Sequence, residues 1–206
     1  MMMWGSFYTE WVRLDGLKCF KGGTFTGRSI AALKCFIALG ISVHFRTRRV
    51  KLSLAGFEEL TGLSKPMVIK GIQALEEEGL LKVIRGTHTN EYQLLHGEHE
   101  EHFAKLPVAR FKGHLREIPN RGLVPLTALK IYLVLTTVRQ RDSIDSHIGY
   151  DKLREKTGVQ RAQIRAALDV LLNHSLIRIM QVEADMKTFN IYRLLGLLDR
   201  SVEAID

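Results

Sequence analysis

Long polar side chains are concentrated in one short stretch of the second half of the chain. Gln160, Arg161, Gln163 and Arg165 lie close together, and no acidic residue follows before Asp169. Arginine and glutamine are the side chains that recognise guanine and adenine through paired hydrogen bonds. The stretch therefore predicts the reading of base edges in duplex DNA, with an ordinary solvated helix face as the alternative.

A second set of residues has the chemistry for holding a phosphate backbone, which positions a protein without reading sequence. Met67 belongs to this set as a contact for a thymine methyl group. Residues 46–51 form a basic loop that could reach a flanking phosphate or simply solubilise the surface. The predicted positioning residues are Arg46, Arg48, Arg49, Lys51, Ser64, Lys65, Met67, Lys70, Arg85, His88 and Lys187.

Composition limits the classes of protein to which the chain can belong. The 206 residues are 46% hydrophobic and 25% charged, which excludes disordered and collagen-like chains, and the net charge of +8 attracts polyanions. The longest apolar run, residues 35–43, is too short to cross a bilayer, and the start lacks a signal-peptide pattern. We expect a soluble cytoplasmic protein whose partner is nucleic acid rather than a membrane.

The chain repeats itself at an offset of 96 residues. From position 32 to 83 the register holds without a gap, so that ALKCFIAL lies over ALKIYLVL and FEELTGL over LREKTGV. Most apolar positions stay apolar although few residues are identical. This pattern predicts two domains of one kind, residues 5–97 and 103–200, with the linker HGEHEEH at 96–102.

Helical periodicity and turn residues place the same elements in each copy. The first copy has helices near 30–41, 54–61 and 64–79, followed by strands at 80–85 and 90–95. The second has helices near 126–139, 150–157 and 160–173, followed by strands near 176–182 and 189–195. Residues 14–28 and 108–122, ahead of each first helix, are predicted loops with at most one short strand. Ser29 and Ser64 are the predicted caps of the helices that follow them.

The first helix of each copy is apolar on more than one face. Cys35, Phe36 and Leu39 extend the apolar surface in the first copy, and Ile131, Tyr132 and Leu135 do so in the second. We expect the surplus to form a contact between the two domains or between two chains, as in a homodimer. Packing into the core of each domain is the alternative.

Three helices followed by a β-hairpin, with TGLSKPMVIKGIQALEEEGLL spanning the turn, resemble the winged helix-turn-helix superfamily. This segment is similar to the corresponding segments of MarR- and GntR-type regulators and of phage and plasmid replication proteins. The resemblance implies an α+β, mainly α fold of two tandem winged-helix domains, each with three helices and a hairpin wing. It also implies that the third helix of each copy enters the major groove while the wings touch the backbone or the minor groove.

These expectations converge on a double-stranded DNA-binding protein with a bipartite site. A replication initiator, or a replication or transcription regulator of a plasmid, phage or other mobile element, is the first interpretation of its role. One alternative is a protein scaffold like the tandem winged-helix subunits of chromosome-condensing complexes. The other is an RNA-binding winged-helix protein, which the lack of aromatic side chains on the third helices disfavours.

Other motifs give no support to an enzyme. His96, His99 and His102 are candidates for metal ligands, but a solvated linker is the preferred interpretation. Residues 22–29 have the spacing of a phosphate-binding loop, yet Arg28 stands where that motif needs lysine. Cys19 and Cys35 form no paired motif and are predicted to be structural. We therefore expect no catalysis, metal, cofactor or small-molecule substrate.

Overall fold

The computed structural model describes residues 4–95, 102–140, 143–184 and 187–197, and shows an α+β protein in which helices predominate over small sheets. The elements of the first half are β1 Trp4–Tyr8, α1 Glu10–Arg13, α2 Thr26–Ser42, β2 Arg49–Lys51, α3 Leu54–Thr61, α4 Lys65–Glu77, β3 Leu81–Ile84 and β4 Glu91–Leu94. Those of the second half are β5 Phe103–Pro107, α5 Val108–His114, α6 Leu123–Val138, β6 Asp145–His147, α7 Tyr150–Thr157, α8 Arg161–Asn173, β7 Ile177–Ala184 and β8 Lys187–Leu194.

The order of elements is the same in both halves, and the helices and hairpins lie close to their predicted positions. Each hairpin gains a third strand that the sequence did not indicate, giving the orders β2-β4-β3 and β6-β8-β7. The strand β2 occupies part of the predicted basic loop. Residues 108–122 were predicted as loop, but they begin with the helix α5, and residues 14–28 contain two short 3-10 turns.

Glycine ends the helices α3 and α7 in the same way. Gly62 and Gly158 follow α3 and α7 with φ of 67° and 68°, a left-handed conformation that glycine adopts without a steric penalty. The chain then turns directly into α4 and α8. Neither predicted serine cap forms as expected: Ser64 precedes α4 without a side-chain capping bond, and Ser29 Oγ, three residues inside α2, donates to Lys21 O.

The two halves share one hydrophobic core. The helices α2 and α6 pack against each other, and β1 pairs antiparallel with β5 so that Phe7 lies opposite Ala104. All six surplus apolar side chains of the first helices are at least 97% buried. The surplus is therefore covered within the chain, and the expectation of a homodimer through these helices has no exposed apolar face to support it.

The helix α2 belongs to an apolar segment that is longer than the run at residues 35–43. Together with the turn before it, Gly23–Ser42 is long and apolar enough to cross a membrane by length and composition, although 72% of its most apolar 18 residues are buried inside the protein. This degree of burial is typical of a helix in the core of a protein.

A buried lysine joins α2 to the end of α3, and its counterpart does the same in the second half. Lys34 Nζ donates to Thr61 O at 2.8 Å and, across the two halves, to Ile118 O at 2.5 Å and Asn120 Oδ1 at 2.7 Å. Lys130 Nζ donates to Thr157 O at 3.0 Å. Burial disfavours the ammonium form, and it lowers the pKa of Lys34 to about 7 and the pKa of Lys130 to about 8.

Candidate nucleic-acid interface

The helix α8 presents a polar face at its N-terminal end because its apolar residues follow the helical period. Ile164, Leu168 and Leu171 are buried in the core. On the opposite face the predicted base readers Gln160, Arg161 and Arg165 are exposed, whereas Gln163 is half-buried. Gln160 stands at the N-cap but makes no side-chain capping bond, so its amide is available to a ligand.

An acidic residue that the sequence analysis did not single out lies beside this face. Asp151 Oδ1 on α7 is 3.7 Å from Arg161 Nη1, and the two side chains are 76% and 67% exposed. An ion pair this exposed contributes little to stability. A nucleic-acid phosphate or base can therefore replace Asp151 as the partner of Arg161 at low cost.

Arg161 lies between two surface grooves. One groove, of about 630 Å³, runs from α8 to the hairpin β7–β8, and we call it the hairpin groove. The other, of about 950 Å³, runs along α7, and we call it the α7 groove. The hairpin groove is lined by Arg161 together with His147, Tyr150, Gln181, Phe189 and Asn190. Gln160, Arg154 and Lys18 line the α7 groove.

Basic residues of each half reach the turn of the other half. Lys18 lies against Gly158, the residue that opens the turn into α8, with its Cγ 3.2 Å from where a β-carbon would stand. The backbone of Arg116 lies still closer to Gly62, ahead of α4, with its carbonyl oxygen 2.8 Å from the corresponding point. Sequence reasoning missed both because they lie in predicted loops whose contacts are with the opposite half.

The corresponding helix of the first half has a different surface. Ser64, Lys65 and Lys70 are exposed as a positioning role requires. Met67 is half-buried and packs toward α2 near Gly27, so the structure does not support its predicted contact with a thymine methyl group. Ile69, which is 40% exposed, occupies the position that Arg165 has in α8. The helix α4 therefore offers phosphate contacts without the arginine that would read a base.

Arg48 is the clearest departure from the predicted phosphate contacts. It is only 5% exposed, with a left-handed φ of 54°. Its Nη1 donates to Ser6 Oγ at 2.6 Å, and its guanidinium lies 4.4 Å from the centre of the Tyr8 ring. Burial lowers the pKa of this guanidinium. Arg48 therefore fastens β1 to the start of β2, and it is not available to a phosphate.

The Arg48→Ala variant should lose stability rather than a DNA contact. We expect the free energy of unfolding in urea to fall by about 2 kcal/mol because Ser6 Oγ loses its charged partner. Arg46→Ala, which removes an exposed arginine two residues away, is the matched control and should leave stability unchanged within about 0.5 kcal/mol. An Arg48→Ala protein of wild-type stability would contradict this assignment.

The remaining predicted phosphate contacts and metal ligands differ in how exposed they are. Arg46, Arg85 and His88 are exposed, Lys51 is exposed on β2, and Arg49 is 3.7 Å from Glu91. Lys187 begins β8, but its side chain lies outside the described part of the structure, as do His96 and His99. His102 is exposed, and within the described ranges no three histidine, cysteine or acidic residues are grouped as metal ligands.

The cysteines and the glycine-rich segment have structural surroundings. Burial raises the pKa of Cys19 to about 12 and also raises that of the buried Cys35, so both stay protonated thiols at neutral pH. Arg28, in the phosphate-loop motif, forms an ion pair with Glu77 of α4. These environments offer no activated nucleophile at either cysteine.

The chain matches no protein-family model and no curated protein. What the geometry defines is an exposed Gln/Arg helix face between two grooves, on a basic chain whose halves share one architecture.

Proposed function

We propose that the protein binds duplex DNA through two tandem winged-helix domains, residues 5–97 and 103–200. The single observation that carries the proposal is the exposed face formed by Gln160, Arg161 and Arg165 at the start of α8. These side chains can bond guanine and adenine in the major groove. The order of elements that both halves share, in which two helices at a tight turn precede a hairpin, and the net charge of +8 support the same reading.

The two domains have different tasks in this proposal. The helix α8 reads bases, whereas α4 positions the duplex, because α4 has Ile69 where α8 has Arg165. Lys18 supplies a phosphate contact beside α8, in exchange for its present partner Asp15, 2.7 Å away. Two unequal readers in one chain imply an asymmetric site, with half-sites about 34 Å apart if both helices bind one face of the duplex.

For the biological role, we propose a replication initiator, or a replication or transcription regulator, of a plasmid, phage or other mobile element. Two observations support this role. The helix-turn-helix segment TGLSKPMVIKGIQALEEEGLL is similar to those of phage and plasmid replication proteins, and the helices α4 and α8 have different surfaces. The scaffold alternative depended on exposed apolar faces on α2 and α6. Those faces are buried, so they give the scaffold alternative no support.

A salt titration of binding to a random DNA duplex tests the proposal. Micromolar affinity is expected, with log K falling linearly against log salt by about 0.9 for each phosphate contacted. Fluorescence anisotropy of an end-labelled duplex measures both quantities, and an RNA duplex of the same sequence tests the RNA alternative. Absence of binding to DNA at about 50 mM salt would overturn the proposal.

A further inference from the structure

The hairpin of the second half is longer than that of the first and carries exposed apolar side chains. The strands β7 and β8 have eight residues each, against four in β3 and β4. Val182 and Phe189 stand opposite each other in the register of this hairpin, 43% and 50% exposed. Single exposed apolar residues are common on protein surfaces, but a cross-strand pair near the end of a hairpin forms a projecting apolar surface.

The position of Phe189 connects this surface to the reading helix. Phe189 and Arg161 line the same hairpin groove. A DNA strand held by Arg161 would therefore pass the hairpin at Phe189. Gln181 and Asn190 also line the groove and form the next pair in the register, so their amide side chains stand on the opposite face of the hairpin from Val182 and Phe189. Amides can bond the acceptors that every base pair presents in the minor groove.

An exposed phenylalanine has a specific use in a minor groove. Apolar side chains that enter it insert between base pairs, unstack one step and bend the duplex away from the protein. We propose that Val182 and Phe189 form an apolar wedge that enters the minor groove next to the site read by α8 and bends the DNA there. This inference rests on the proposed function, and its occupant is the same DNA duplex.

The wedge should produce a bend of about 20–90°. The probe is a duplex of about 30 base pairs selected from a random pool by the wild-type protein, with a donor and an acceptor dye at its ends. Saturating wild-type protein should raise the energy transfer between the dyes. A 2-aminopurine placed at the wedge step should become brighter as it unstacks.

The test variant is Val182→Ala/Phe189→Ala, and both side chains are exposed enough to leave the fold intact. We expect it to lose at least two thirds of the change in energy transfer and the 2-aminopurine signal, while binding the duplex within about tenfold of wild type. The matched control is Phe25→Ala, which removes a 53% exposed phenylalanine from the first half. It should keep the full bend.

Two kinds of failure are distinguishable. If the wild-type protein binds the duplex without bending it, or if the double variant and Phe25→Ala bend it equally, the wedge is wrong while DNA binding stands. If the double variant instead abolishes a dimer seen by sedimentation, the apolar pair serves a second copy of the chain, and the wedge is again wrong. If no duplex is bound at low salt, the proposed function itself fails.

Discussion

Replacing Lys34 by methionine should lower the free energy of unfolding by about 3 kcal/mol, measured in urea at about pH 8.5, where the folded chain holds most of this amine uncharged and the cost of burying a charge is reduced. The side chain is fully buried, and its Nζ lies within hydrogen-bond distance of three oxygen acceptors, on Thr61, Ile118 and Asn120. Methionine has a similar volume but no donor, so those oxygens would be left buried without a partner. Two of the acceptors, Ile118 and Asn120, belong to the second half. The lost stability should therefore come mainly from the contact between the two halves.

The repeat supplies a matched control at Lys130. Lys130 is almost as buried, at 4% exposure, but its Nζ donates to the single acceptor Thr157 O among the bonds that the structure describes. Lys130→Met should therefore cost only about 1 kcal/mol. Equal losses in the two variants would show that burial of the lysine, and not its hydrogen bonds to the other half, determines the change in the free energy of unfolding.

The pH dependence of stability offers a second readout of Lys34. Between its folded pKa of about 7 and the ordinary lysine value of 10.5, the unfolded chain binds a proton that the folded chain does not. The free energy of unfolding should therefore rise with pH above 7, by up to about 1.4 kcal/mol per unit from this group, and decline as pH falls toward 7. Lys34→Met should show a smaller rise between about pH 7 and 8.5. At higher pH the buried thiols and tyrosines, whose pKa values are raised, oppose the trend.

The double variant Arg161→Ala/Arg165→Ala should lose about 2–6 kcal/mol of binding free energy on a selected DNA site, at about 1–3 kcal/mol for each bidentate contact. Both side chains are exposed, so the fold should be unchanged. On a random duplex the loss should be much smaller, because only the charge contribution is removed. The measurement compares dissociation constants on the two duplexes at one salt concentration.

Equivalent positions in α4 supply the control for this variant. Lys65 and Ile69 stand where Arg161 and Arg165 stand in the second half, and both are exposed. Lys65→Ala/Ile69→Ala should weaken selected and random duplexes by similar factors, because α4 is proposed to position the DNA and not to read it. A loss of specificity from the α4 variant, or equal losses on both duplexes from the α8 variant, would contradict the division of tasks.

The candidate site was predictable from sequence where its geometry is local. The buried stripe of Ile164, Leu168 and Leu171 follows the helical period, so the exposure of Arg161 and Arg165 on the opposite face follows from spacing alone. Arg48 was not predictable in this way. Its neighbours in sequence are exposed and basic, and its burial depends on Ser6 and Tyr8, some forty residues earlier.

The sequence by itself determined three helices and the hairpin of each half, because helical periodicity and the turn glycines Gly62 and Gly158 act within a few residues. Only the tertiary structure decided how the halves meet. The pairing of β1 with β5, the third strand of each sheet and the contacts of Lys18 and Arg116 with the opposite turn join residues far apart along the chain. Such contacts depend on which surfaces remain to be buried once local structure has formed, and no local pattern records that.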